Sequence, residues 1–451
     1  VVTLVRIGWR ENGDGLDVAL AVGRALAHGR GAWWLDDGDY LVEDGALPPG
    51  LRAEPAGAPA GAAIVAPRAA LFCGPATGYP YWGYYALCLA RLGIGFDCVD
   101  GKAMAAGALD RANLLVIPGG FATWNFDRAE DAPGADAEVR RFLATGGRAI
   151  GSCGGAYYLS AGRPGWTGTA AAMPLYTHEY LQSGVGVVSL SIASPTLGRG
   201  LPPTMDMPYY HGPIWTGPAP NAGVAASFAD LVLPGRLGID NPLDHERFAR
   251  DMKGRPAILD ASGERGEAIL FSPHPEMGDL LRKYIALDGY ARRYLPVRGL
   301  PVLRDTMRFY APADSPSFRL VANAAHDLVA RPGTRRVDPA PARAQAAAPP
   351  PDPRGALGAM LARVEPGSDP DIAPLLDFVA GGLRERLARA PWPIGGAWAQ
   401  AAAEVAQAVV ARLPALEAAP VAQLLLEAEL GLALLETLAR AADTDSSMES
   451  P

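Results

Sequence analysis

Between Ala66 and Gly155 short apolar runs alternate with stretches of helical spacing, and this rhythm narrows the choice of fold more than any other feature of the 451 residues. Ala69 to Cys73, Phe96 to Val99, Asn113 to Ile117 and Arg148 to Gly151 are too short for helices and mostly apolar, as buried strands are. Between them, Tyr84 to Leu92 and Ala135 to Ala144 carry helical spacing, and Leu109 to Ala112 ends a short helix. The succession predicts a parallel sheet covered by helices on both faces. A later apolar run, Ala268 to Phe271, adds one more buried strand, and a helix is expected from Asp279 to Tyr290. Ligands of such sheets bind beyond the carboxyl ends of the strands. The residues just beyond each run therefore matter most.

Three of these strand ends carry chemistry. Pro118-Gly119-Gly120 stops the third run. Gly151-Ser152-Cys153-Gly154-Gly155 succeeds the fourth and has the form of a nucleophile elbow, whose cramped turn requires small neighbours. The Gly154 N–H is a candidate oxyanion donor, and Gly119 and Gly120 supply a second set of backbone N–H groups. The helix expected from Ala156 through Leu159 presents its positive end to the thiol. Ser272-Pro273-His274-Pro275-Glu276 comes directly after the last run. Alternate residues of an extended segment project to one side, so His274 and Glu276 can be neighbours. The two prolines remove ladder donors and put the segment past the strand's end. A thiol, a base and a carboxylate to orient the base are thus within reach of one rim. The alternative is a structural cysteine in a glycine-rich turn. Tyr157, Tyr209, Tyr210 and Trp215 are candidate substrate-pocket residues, with His211 as a further polar contact or a turn histidine. His178 with Glu179 and His245 with Glu246 are expected to be surface pairs.

The flanks organise the rest. Val1 to Gly8 predicts a strand, Leu16 to Ala27 a helix, and Ala32 to Glu43 a hairpin turning at Asp37-Gly38. Asp36, Asp37, Asp39, Glu43 and Asp44 lack the spacing of a calcium loop, so a solvated hairpin is expected. The Pro/Gly/Ala stretch 46–63 predicts a linker, giving a small α/β segment over 1–62 ahead of an α/β domain over 63–330. Inside that domain, residues 175–260 predict antiparallel strands with long loops. Residues 331–355 predict a Pro/Ala-rich tether, and 356–445 a C-terminal all-α region. In its last helix Val421, Leu424, Leu425, Ala428, Leu432 and Leu435 share one face, and Leu426, Leu430, Leu434 and Leu438 form a second. Two apolar faces imply burial in a bundle, against a protein partner or in self-association.

Charge and cysteines exclude several classes. A net charge of −8 without a basic run or aromatic-basic interleaving excludes nucleic acid as a partner. Cys73, Cys88, Cys98 and Cys153 form no C-x-x-C pair, so neither a zinc site nor a disulfide framework is expected. The first three are expected to pack as small hydrophobes. No apolar stretch is long enough to span a membrane, and the first residues show no basic-then-apolar signal pattern. The expected compartment is the cytoplasm, with no membrane partner.

The three strand-end segments, in this order, resemble the class I glutamine amidotransferase-like superfamily. There a Pro-Gly-Gly loop, a G-x-C-x-G elbow and a late His-Pro-Glu accompany a Cys–His–Glu triad. Cys153-Gly154-Gly155-Ala156-Tyr157-Tyr158, with Gly74-Pro75 upstream and Tyr209-Tyr210-His211-Gly212-Pro213 between the triad members, looks most like one branch. That branch is the amidotransferase-like domain at the N-terminus of some eukaryotic biotin–protein ligases. The resemblance covers roughly residues 65 to 290. It implies a flavodoxin-like three-layer α/β domain, with Cys153, His274 and Glu276 as the triad and Gly119, Gly120 and Gly154 around the oxyanion. It also implies cleavage of a C–N amide bond in a small molecule or peptide through a thioester, with no cofactor or metal. Tyr157 stands where glutamine-using members carry a glutamine, and neither a synthetase domain nor a biotin-ligase catalytic segment is evident. In the related chaperone/protease-like group a histidine directly succeeds the nucleophile; here Gly154 does. A second reading is a binding or scaffold protein that keeps the fold without turnover, its helical tail recruiting a partner.

Overall fold

The computed structural model describes residues 3–12, 15–43, 47, 50–59, 61–120, 126–177, 180–233, 241–281, 283–285, 316–337, 350–364, 373–417 and 419–446. The chain divides into two compact units. One comprises Val1–Val232, Pro242–Glu276 and Pro316–Pro341; the other comprises Leu233–Asn241, Met277–Ser315 and Ala342–Pro451.

The first unit opens with a five-stranded antiparallel sheet of β1 (Leu4–Ile7), β2 (Ala32–Trp34), β3 (Tyr40–Glu43), β4 (Glu54–Ala56) and β5 (Ala62–Ala63), in the order β4-β1-β3-β2-β5. β2 and β3 form the predicted hairpin. Three of its acids pair with arginines: Asp37 and Asp39 with Arg6 at 2.5 and 2.7 Å, and Asp36 with Arg199 at 3.2 Å; Asp44 lies outside the described residues. β4 and β5 lie where a linker is predicted. Both are edge strands, where a proline such as Pro55 is tolerated and little apolar surface is needed. The helix α1 (Leu16–Ala27) ties this sheet to the rest of the unit. A Cβ on its Gly23 would lie 2.4 Å from the carbonyl oxygen of Gly93, just beyond α2 (Tyr81–Arg91), so the two backbones touch. The boundary predicted near residue 62 thus falls inside one compact body.

The large sheet holds β6 (Ala69–Phe72), β7 (Phe96–Val99), β8 (Leu114–Ile117), β9 (Arg148–Ser152), β10 (Val185–Ile192), β11 (Thr204–Tyr210), β12 (Ala222–Leu231), β13 (Pro256–Gly263) and β14 (Gly266–Phe271). Their order is β11-β10-β12-β13-β14-β9-β8-β6-β7. From β14 to β7 all neighbours are parallel, in the 2-1-3-4-5 order of a flavodoxin-like sheet. From β14 to β11 all are antiparallel. The predicted parallel sheet is therefore half of a mixed one. Connection length explains the change: only Glu264 and Arg265 separate β13 from β14, enough for a hairpin and far too few for a crossover.

Helices cover the parallel half as predicted. Leu115, Ile117, Ala149, Ala268 and Leu270 join one core with Val139 and Phe142 of the helix Ala135–Ala144. The alternate residues Leu114, Val116, Ile150 and Ile269 are equally buried. On their side the helix Pro316–Ala330 packs against β8, β9 and β14. The residues just after that helix are fastened, not a tether. Arg331 pairs with Asp260 at 2.8 Å, and the Arg335 N–H donates to the Gly146 carbonyl at 3.0 Å. Residues 338–349 of the predicted tether lie outside the described residues.

In the second unit Asp352 caps the helix Pro353–Ala362, which starts inside the stretch predicted to be a tether. The helices Ala373–Leu387, Ala399–Arg412 and Val421–Ser446 complete it. The last helix packs against the other three, and both of its predicted apolar faces point mainly into this core. Two acids go in with them. Glu427 accepts from Arg412 at 2.9 and 3.0 Å. Glu429 accepts from Lys283 at 2.7 Å, the Tyr284 hydroxyl at 2.6 Å and Arg386 at 3.2 Å. The helix predicted over 279–290 runs beyond the described residues after Ile285. Stripping one side of a buried pair leaves an uncompensated charge. Glu429→Ala, which strands Lys283 and leaves Arg386 with Glu436 alone, should destabilise this unit by about 3–5 kcal/mol, measurable as a lower urea midpoint for its transition.

Candidate active site

Cys153 directly succeeds β9 and caps the short helix Gly154–Leu159 with φ +50° and ψ −108°. A positive φ on a residue with a side chain is strained and persists only where the surroundings impose it. Glycines impose it here. A Cβ on Gly155 would lie 2.1 Å from the Ile117 carbonyl oxygen, one on Gly154 2.2 Å from that of Gly120, and one on Gly151 2.8 Å from Gly155. The Gly155 N–H donates to the Pro118 carbonyl at 3.1 Å, and the Cys153 N–H to that of Phe271 at 3.0 Å. The loops after β8, β9 and β14 are thereby clipped together, because these strands are parallel neighbours.

His274 and Glu276 arrive on the third of these loops. Nδ1 of His274 lies 2.6 Å from Oε1 of Glu276, and both side chains are buried. A 3-10 turn at Pro275–Met277 brings them side by side, where the sequence predicts an extended segment. On the other side of the imidazole, Nε2 is 3.3 Å from the Tyr210 carbonyl oxygen. The Cys153 thiol donates to that same oxygen at 3.2 Å. A Cβ on Gly119 would be 3.0 Å from the His274 ring and 3.7 Å from Cys153 Sγ, so the Pro-Gly-Gly loop borders both. Burial alone would push the imidazole pKa down. The charge of Glu276 and the hydrogen bonds to Cys153 and Glu276 outweigh it and raise the pKa to about 10.

Two further residues belong to this arrangement. Ser152 Oγ donates to Oε2 of Glu276 at 3.2 Å, and the Tyr85 hydroxyl lies 2.5 Å from Ser152 Oγ. Both oxygens of the buried carboxylate therefore have partners. Position next to Cys153 is the one sequence clue to Ser152. Tyr85 is 67 residues away from it and carries none.

The residues predicted to line a substrate pocket divide. Tyr157 and Tyr209 are core residues: both hydroxyls donate to the Gly212 carbonyl, at 3.4 and 2.8 Å, and the rings pack on Trp166 and Phe228. Trp215 is buried in the same core as Tyr157. Aromatic bulk drives these three inside. Tyr210 and His211 stay at the site. His211 has φ +53°, and its ring accepts from the Gly184 N–H at 3.2 Å, so it is also the turn histidine. Burial lowers its pKa, helped by the charges of Arg247 and His274.

Elsewhere, Cys88 is buried, whereas Cys73 and Cys98, predicted to pack as small hydrophobes, are only partly so because they sit near strand ends. His245 and Glu246 are exposed at a helix start, and His178 and Glu179 lie outside the described residues. Among the described residues no cluster of His, Cys, Asp and Glu could hold a metal ion, and no helix is long and apolar enough to cross a membrane.

No protein-family model matches this sequence, and no curated protein matches it. Solved structures that match include a glutamine amidotransferase at 18% identity, covering 46% of this chain and 90% of that one, with a TM-score of 0.31. A glutamine amidotransferase from Thermotoga maritima matches at 13% identity, covering 58% and 98%, with a TM-score of 0.36. These likenesses are partial, and neither bears on the biotin–protein ligase branch. The α/β architecture is read from the strand order itself.

Replacing Glu276 by Gln removes the attraction and leaves the burial. The His274 pKa should then fall from about 10 toward or below the ordinary 6.5, which an NMR titration of the ring would read. Stability should shift with it. A folded-state pKa above 6.5 gives a contribution that is complete below pH 6.5 and lost as pH rises through about 10. Glu276→Gln should lack that alkaline loss.

Proposed function

We propose that this chain is a cysteine-dependent, amidotransferase-like hydrolase that cleaves a C–N amide bond in a small molecule or peptide. The observation that carries the reading is the common contact of Cys153 Sγ and His274 Nε2 with one carbonyl oxygen, that of Tyr210, at 3.2 and 3.3 Å. A thiol and an imidazole that share one carbonyl are spaced to share a substrate's amide. In this mechanism Cys153 attacks the amide carbon and the S–C bond forms. His274, oriented by Glu276, holds the proton that the departing nitrogen takes as the C–N bond breaks. Water then attacks the thioester and releases the acid and the thiol. Gly154 and Gly120 N–H groups are the proposed oxyanion donors, with Gly119 beside them. His211 and the Tyr210 ring are the proposed substrate contacts. Ser152 and Tyr85 act through Glu276 as positioning residues.

One observation favours the alternative, a fold kept for binding without turnover. Cys153 is only 6% exposed, and the Tyr210 carbonyl takes up the contacts that a substrate would make. Whether glutamine serves as substrate, and whether the biotin–protein ligase branch is the right one, belong to the same proposal; Tyr157 in place of the family's glutamine counts against glutamine.

Iodoacetamide labelling coupled to mass spectrometry separates the two. An enzyme should alkylate at Cys153 faster than at Cys73, Cys88 or Cys98, by about tenfold or more, with a pH profile that changes in His274→Ala. Cys153→Ala should abolish amide hydrolysis and leave the melting temperature nearly unchanged. Labelling of Cys153 no faster than of buried Cys88 would refute turnover.

A further inference from the structure

Arg319, Asn323 and His326 recur at intervals of four and three along the helix Pro316–Ala330, so they share one stripe of it. That stripe meets the β2–β3 hairpin, where Trp34 and Tyr40 stand opposite each other across the strands. The His326 ring meets both edge-on, with centroids 6.1 and 6.3 Å away. Trp34, Tyr40, Asn323 and His326 are all at least nine-tenths buried. A seam between a helix and a sheet is ordinarily apolar. This one is polar on both sides.

Four atoms in it have no hydrogen-bond partner among the described residues: Trp34 Nε1, the Tyr40 hydroxyl, Asn323 Oδ1 and His326 Nδ1. The Asn323 amide is oriented by its own contacts, since Nδ2 donates to the carbonyls of Leu197 and Arg199 at 2.7 and 2.9 Å. Oδ1 is left as an acceptor. Native interiors leave few such groups unsatisfied, and several in one seam call for an explanation.

The surrounding charge indicates which kind. The Arg319 guanidinium stacks on Trp9 at 3.7 Å and donates to the Gly38 carbonyl; that of Arg199 stacks on Trp34 at 4.2 Å. The nearby acids are engaged at the rim, Asp39 with Arg6 and Asp36 with Arg199. Burial and then the charge of Arg319 hold the His326 pKa down at about 4, so the ring is neutral. Burial raises the Tyr40 pKa, so its hydroxyl keeps the proton. The seam thus offers N–H and O–H donors beside the Arg319 cation and the ion-paired Arg199, together with one acceptor.

We propose that this seam between the β2–β3 hairpin and the Pro316–Ala330 helix binds a small oxyanion that also carries an O–H, the chemistry of hydrogen phosphate. Its oxygens accept from Trp34 and Tyr40, its hydroxyl donates to Asn323 Oδ1, and neutral His326 takes either role. The site is separate from Cys153 and holds whether or not that cysteine turns over.

Calorimetric titration of the full chain with inorganic phosphate tests this, with acetate as the comparison anion and sodium chloride balancing ionic strength. The wild type should bind phosphate saturably and more tightly than acetate. Tyr40→Phe, which removes only the hydroxyl, should weaken phosphate binding by about tenfold or more. Trp34→Phe should do the same, so the test survives if one variant fails to fold. Absent saturable binding by the wild type, unchanged binding in the folded variants, or equal binding of acetate would each overturn the proposal.

Discussion

Strands β8, β9 and β14 end level with one another, Ile117 beside Gly151 and Ser152 beside Phe271, and the loops beyond them approach with no room for side chains. The reading of Cys153 as a nucleophile depends on that crowding. The backbone of Gly155 is pressed on Ile117 and that of Gly154 on Gly120, and Cys153 is left with a positive φ that it would not choose by itself. Strain at one residue is sustained by packing that any larger neighbour would disrupt.

A second constraint is how this protein buries acids. Glu276 is 1% exposed and accepts from His274 and Ser152 at its two oxygens. Glu429, in the helical unit, is as deeply buried and has three donors. Each carboxylate is inside because its partners arrive with it. The difference lies in what those partners touch next. Around Glu429 they are lysine, tyrosine and arginine that lead back into the bundle. Around Glu276 one of them is an imidazole whose far nitrogen shares a carbonyl oxygen with a thiol.

Much of this arrangement was legible from residue order. Apolar runs located β6, β7, β8, β9 and β14, and the glycines and prolines after three of them marked the rim where Cys153, His274 and Glu276 meet. Features set by distant pairings were not disclosed by the residues. The antiparallel half of the large sheet stems from a two-residue turn at Glu264-Arg265, which composition does not emphasise. β4 and β5 gave no apolar signal, because edge strands need none. Tyr157 and Tyr209 resembled pocket residues until the Gly212 carbonyl claimed both hydroxyls. Tyr85 was invisible, since nothing in a helical run of aromatics says which hydroxyl will find Ser152.

The oxygen that touches both Cys153 and His274 is a main-chain oxygen. Every amino acid offers the same atom, so selection acting on the Tyr210 side chain can reshape the entrance without altering what rests against the sulfur. Only an insertion, a deletion or a tilted peptide plane can shift it. The segment from Tyr209 to Gly212 is therefore a place where length is constrained more tightly than letter.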